Sequence, residues 1–92
     1  MLKLYQREEC PACAQVRRFL ATHNLPVESV YVPRLASQRQ AVMGLKGLDT
    51  PEVPVLVDDD RVIQGSDDIL AYLEEKQARF DEIAEAAFGR PA

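Results

Sequence analysis

Ninety-two residues make one domain, and a hydrophobic content of 47% supplies a modest core, which excludes a disordered polymer. Eleven Lys and Arg against fifteen Asp and Glu give a net charge of −4, and the cations are scattered; a non-specific nucleic-acid binder, which needs a basic face, is excluded. No run of about 18 uninterrupted apolar residues is present to cross a membrane, and Met1 to Tyr5 carry no secretory signal, so a cytoplasmic location is expected.

In chain order, Leu2 to Gln6 is expected to form a short strand with Leu2 and Leu4 on one face. Cys10 to about His23 has helical spacing: Cys13, Val16 and Leu20 recur at i, i+3 and i+7. Asn24-Leu25-Pro26 ends this helix, because the residue before a proline avoids the helical region. Val27 to Val32 is β-rich and is stopped by Pro33. Ser37 is placed to cap a second helix running to about Lys46, with Gly47 as its terminator. After the turn Thr50-Pro51-Glu52 comes an apolar strand, Val53 to Val57. Asp58-Asp59-Asp60 then makes a polar turn, and Arg61 to Ile63 returns as the other arm of a hairpin. Asp67 to about Gln77 reads as a third helix with Ile69, Leu70 and Leu73 inward. The last amphipathic stretch, carrying Phe80, Ile83, Ala84 and Phe88, either continues that helix or forms a fourth. Packed on the core, this stripe leaves a monomer; exposed, it reads as a dimer surface.

The order β-α-β-α-β-β-α predicts an α/β fold. A right-handed crossover makes the first two strands parallel and the closing hairpin lies antiparallel beside them, in a four-stranded mixed sheet flanked by helices. The whole chain, 1–92, is read as a single domain with a core over 2–76 and a helical extension over 77–92.

The informative composition item is two cysteines three apart. A disulfide-stapled secreted domain carries four or more, and bridging Cys10 to Cys13 closes too short a loop to restrict the unfolded chain. A zinc site needs about four ligands, and Cys10, Cys13 and His23 fall short of that, so no metal is expected. A CxxC pair after a strand and at a helix start is instead the pattern of a thioredoxin-like redox site. There the free N–H groups and the positive end of the helix dipole favour a thiolate on Cys10. Pro11 suits the first helical turn, and Arg7 adds positive charge, which Glu8 and Glu9 oppose. Cys13 shares the apolar stripe and is expected to be buried, while Cys10 is expected to face solvent: a nucleophile with a sheltered resolving thiol behind it.

Three blocks resemble one family in order and spacing. Tyr5 to Cys13 resembles the first strand and active-site loop of glutaredoxins. Val53-Pro54-Val55-Leu56-Val57-Asp58 resembles their cis-proline strand. Ile63-Gln64-Gly65-Ser66-Asp67-Asp68-Ile69 is similar to the start of their third helix. The same layout resembles the N-terminal thioredoxin-fold domain of glutathione transferases. The resemblance implies a thioredoxin-like fold and a glutathione-dependent thiol–disulfide oxidoreductase, with Cys10 as nucleophile and Cys13 as resolving cysteine. Glutathione would be co-substrate and disulfide-containing proteins the partners. The resemblance further implies that Val53 offers its backbone to glutathione's cysteinyl part, with Pro54 cis opposite Cys10, while Pro51 is an ordinary trans proline. Ser66 and Asp67 would hold the γ-glutamyl end, Arg7 would assist the thiolate or meet glutathione's glycine carboxylate, and Pro11 would be a further glutathione contact beside the thiol. Ala12 stands where the family commonly has an aromatic residue, and Glu52 where it has threonine. The alternative the resemblance leaves open is a non-catalytic glutathione-binding module like a transferase N-terminal domain. An iron–sulfur carrier needs four thiolates, more than one chain and one glutathione supply.

Overall fold

The computed structural model describes residues 2–45 and 47–89, apart from the side chains of Ala84 and Phe88. The elements in order are β1 (Leu2–Gln6), α1 (Pro11–Thr22), β2 (Val27–Tyr31), a 3-10 turn (Ala36–Gln38), α2 (Gln40–Met43), β3 (Val55–Asp58), β4 (Arg61–Gln64) and α3 (Ser66–Phe88). The sheet order is β2-β1-β3-β4, with β1 and β2 parallel and the β1/β3 and β3/β4 pairs antiparallel. This is the thioredoxin-like mixed sheet that the resemblance implies.

The period of two along β1 and β3 divides the core between the two faces of the sheet. Leu2, Leu4 and Leu56 meet Val16 and Leu20 of α1 and Ile69 and Leu73 of α3 on one face. Tyr5 and Val55 meet Val42 of α2 on the other, with Val30, Val57 and Val62 packed around them. Each buried leucine or valine contributes about 1.5–3 kcal/mol relative to an exposed one, so the parallel crossover through α1 is held mainly by the first cluster.

Three expectations change. The second helix is not one run from Ser37: a 3-10 turn is followed by a single helical turn, and Gly44 caps it. The break is Arg39, with φ −94° and ψ 54°. Its guanidinium is buried and donates to the carbonyls of Pro33 (2.8 Å), Arg34 (2.8 Å) and Pro51 (2.9 Å), so three loop carbonyls are satisfied at the expense of helical geometry. The expected end at Lys46 lies outside the described residues. The third strand begins at Val55, two residues later than read, because Pro54 has no N–H to enter the ladder.

The third correction concerns the last stripe. With no Gly or Pro between Ser66 and Phe88, α3 continues unbroken for 23 residues. At 1.5 Å per residue it outruns strands of four and five residues. Among the described residues the buried apolar side chains of α3 end at Leu73, and Phe80 and Ile83 are 65% and 67% exposed. They do not pack on the core, which removes the premise for a monomer. The Ala84 and Phe88 side chains, and residues 90–92 of the extension, lie outside the description.

Candidate active site

Cys10 is the N-cap of α1, in extended geometry (φ −105°, ψ 112°), with Pro11 opening the helix. Its sulfur accepts the Cys13 backbone N–H at 3.2 Å, as the oxygen of a Ser or Asp cap would. Both cysteines are free thiols. Cys13, Val16 and Leu20 form the buried stripe that their spacing predicts.

Cys10 does not face solvent as expected: it is 8% exposed. The Val53-Pro54 segment lies over it, and the thiol donates to the Val53 carbonyl at 3.8 Å. The peptide bond between Val53 and Pro54 is cis, and Gly65 N–H donates to the Pro54 carbonyl at 3.0 Å, joining this segment to the start of α3. Gln64 reaches the carbonyls of Thr50 (3.0 Å) and Glu52 (2.9 Å) and fixes the approach from the other side.

The two sulfurs are set apart electrostatically. Burial by itself raises the Cys10 pKa, but the Cys13 thiol, the N–H groups of Cys13 and Ala12 and the charge of Arg7 outweigh it, and the net shift is downward. Burial is also the leading influence on Cys13; with its hydrogen bond to Cys10 and the nearby Cys10 charge, it pushes the Cys13 thiol up to about 11, against smaller lowering by the Arg7 N–H and Arg17. Cys10 is therefore the more acidic of the two thiols, and Cys13 the one that keeps its proton.

Beside the thiol lies a cleft of about 430 Å³ lined by Ala12, Glu52, Val53, Pro54, Gln64 and the 65–68 turn, within the size range of small-molecule sites. It brings together Val53, Pro54, Ser66 and Asp67. Gly65 at φ +95° turns the chain into α3, and the first intrahelical bond runs from Ile69 N–H to the Gly65 carbonyl. The N–H groups of 66–68 are thus outside the helix ladder and suited to a carboxylate. Arg7 is not in this cleft. It lines a separate cavity of about 420 Å³ with Glu8, Glu9, Tyr31, Val32 and Arg34. Pro11 is exposed on the helix start.

The sequence reading missed the residues that hold the loop. Arg17 donates to Gln6 Oε1 (2.7 Å) and to the carbonyls of Arg7 (3.1 Å) and Glu8 (3.2 Å), and buried Gln6 donates on to Ser29 Oγ at 2.7 Å. A signal was present: Gln6 follows Leu2 and Leu4 on the core-facing period of β1, where a polar residue needs a partner.

The sequence pattern of the glutathione S-transferase N-terminal domain matches residues 4–82. Among solved structures, glutaredoxin 2 of Salmonella typhimurium in complex with glutathione is similar at 28% identity and TM-score 0.67, over 84% of this chain and 34% of that one. Glutathione S-transferase isozyme E7 of Drosophila melanogaster is similar at 36% identity and TM-score 0.73, over 83% and 34%. The diazinon-metabolizing glutathione S-transferase of the silkworm Bombyx mori is similar at 30% identity and TM-score 0.68, over 83% and 37%. This chain spans about a third of the length of each. Comparison with curated proteins returns no match.

Proposed function

Because the chain belongs to the glutathione S-transferase N-terminal domain family, we propose that it works as a glutathione-dependent dithiol oxidoreductase, with Cys10 as nucleophile and Cys13 as resolving thiol. The observation that carries the reading is the opposite displacement of two thiols three residues apart, the outer one acidified at a helix start and the inner one held protonated. A buried structural pair has no need of that division.

In the reaction, the Cys10 thiolate attacks one sulfur of a substrate disulfide. A Cys10–S bond forms, the substrate S–S bond breaks, and the departing thiolate takes a proton. Cys13 then loses its proton and attacks Cys10 Sγ; the internal disulfide forms and the second substrate sulfur leaves. Two electrons pass from the dithiol to the substrate, and two glutathione thiols return them, leaving as glutathione disulfide. Protein disulfides and glutathione mixed disulfides are both within this chemistry.

Glutathione fits the cleft through groups of both signs. The Val53 backbone faces the thiol and suits the cysteinyl part. The free N–H groups at the start of α3, with Ser66, suit the γ-glutamyl carboxylate, and Asp67 suits its ammonium. Glu52 and Asp68 line the same space and disfavour added negative charge. Pro11 completes the helix start, and Arg7 acts on the Cys10 thiolate through its charge. The placement proposed for the reaction is cytoplasmic, where thiols stay reduced; among the described residues no helix is long and apolar enough to cross a membrane.

The test is turnover of a glutathione mixed disulfide. Wild type turns over, Cys10→Ser falls to the uncatalysed rate, and Cys13→Ser stops at a mixed disulfide on Cys10 when the substrate is a protein disulfide. Activity surviving in Cys10→Ser ends the reading. A second reading, a glutathione-binding unit of a transferase, is favoured by the matched family and by the one-third span; glutathione binding without disulfide turnover would select it.

A further inference from the structure

Arg17, on the helix after the thiol pair, is tied by hydrogen bonds to the loop before it. It stands four residues after Cys13, one turn further along α1, and its guanidinium reaches back over the start of the helix. Three donors are engaged, on Gln6 Oε1 and on the Arg7 and Glu8 carbonyls. The loop clasped in this way carries the Arg7 N–H, whose influence on Cys13 favours its ionised form. Gln6 is itself 1% exposed and anchored on Ser29, so the clasp rests on the sheet rather than on solvent-facing groups. A planar fork with five donors satisfies several acceptors in this way; a lysine ammonium would not reproduce the geometry.

We propose that Arg17 is a positioning residue for the resolving half-reaction, holding the 6–8 backbone and its own positive charge beside Cys13 so that this thiol can ionise and attack the mixed disulfide. The inference rests on the dithiol reading above. The step it serves is the second exchange: Cys13 gives up its proton to water, a Cys13–Cys10 bond forms, the bond from Cys10 to the outer sulfur breaks, and the leaving thiolate is protonated. Cys13 is the group that needs help, since its burial opposes ionisation whatever the state of Cys10. The charged or titratable groups acting on it are Cys10 and Arg17, with the Arg7 N–H from the loop after β1. Once Cys10 is in a mixed disulfide its negative charge is gone, while the Arg17 charge stays.

The experiment loads Cys10 with glutathione as a mixed disulfide and follows glutathione release in a single turnover across pH, alongside alkylation of free Cys10 by iodoacetamide. Wild type, Arg17→Gln, Arg17→Lys and Cys13→Ser are compared, all as the full chain. The expected result is about tenfold slower release in Arg17→Gln at neutral pH, the worth of about one unit of thiol acidity. Its pH profile moves upward so that the gap closes in alkali, and Cys10 alkylation changes far less. Arg17→Lys, which keeps the charge and the fold but not the fork, recovers part of the rate. Unchanged release in Arg17→Gln overturns the assignment, as does an equal slowing of alkylation with an unmoved pH profile. Should wild type release no glutathione, or Cys13→Ser release it equally fast, the dithiol reading falls and the Arg17 assignment with it.

Discussion

At the residue scale, the same backbone supplies opposite environments to two identical side chains. Cys10 sits at the helix start, where its sulfur meets N–H groups with no helical partner, and the Cys13 side chain lies on the buried apolar stripe with Val16 and Leu20. The consequence is a reactivity order set by pH. Iodoacetamide should label Cys10 with a midpoint below the ordinary thiol value, and Arg7→Ala should move that midpoint upward, because the Arg7 charge acts on the thiolate. Cys13 should stay unlabelled through neutral pH, its thiol being pushed up to about 11. Mass spectrometry of the singly labelled protein checks the order, and first labelling at Cys13 would refute it. Asp58 is a second residue whose charge is paired inside. Burial raises its pKa, but hydrogen bonds from Lys76 and Tyr72, both at 2.5 Å, outweigh this and the net shift is downward. A carboxyl that is more acidic folded than unfolded stabilises the fold above its unfolded pKa, and that contribution disappears as pH falls through the folded value. The unfolding free energy should therefore decline below about pH 4. Asp58→Ala should remove that part of the slope and cost about 2 kcal/mol at neutral pH in denaturant titrations.

At the element scale, α3 performs two separate tasks. Its first two turns close one core face with Ile69 and Leu73 and aim free N–H groups at the cleft, while its last two turns leave the sheet behind. The entry to this helix depends on Gly65 at φ +95° and ψ 142°, a region that other residues reach only with strain. An added Cβ would meet nothing within 4 Å, so the cost of Gly65→Ala is one of backbone alone. It should destabilise the protein by about 1–3 kcal/mol and weaken glutathione binding by calorimetry, since the 66–68 turn shifts relative to Val53. A neutral Gly65→Ala would mean that this turn does not set the cleft. Helix α2, by contrast, is a single turn, and the loops around it are organised by the Arg39 guanidinium rather than by helical hydrogen bonds.

At the scale of the whole molecule, the buried apolar clusters of the described residues lie in the sheet and its two covers. A lone helical stretch of about ten residues is marginal in water. Leu73→Ala, at a fully buried position, should cost about 2–5 kcal/mol. Phe80→Ser, at a position 65% exposed, should stay within about 0.5 kcal/mol. Paired denaturation curves measure both, and a large effect of Phe80→Ser would show that the extension is covered in solution.

Periodicity and the CxxC spacing determined, from the amino-acid order alone, the four strands, the first helix, the burial of Cys13 and the placing of Cys10 at a helix start, because these depend on neighbours within a turn or a strand. Val53, Pro54, Ser66 and Asp67 were legible only through the family resemblance, and they do converge on one cleft. Four matters belonged to tertiary structure: the covering of Cys10 by a segment 43 residues away, the clasp of Arg17 on the loop before it, the breaking of α2 by Arg39, and the length of α3 beyond its sheet. Each is a contact or a mismatch between elements far apart in the chain. A local pattern of side chains carries the tendency to form an element but not the partner that will finally satisfy it.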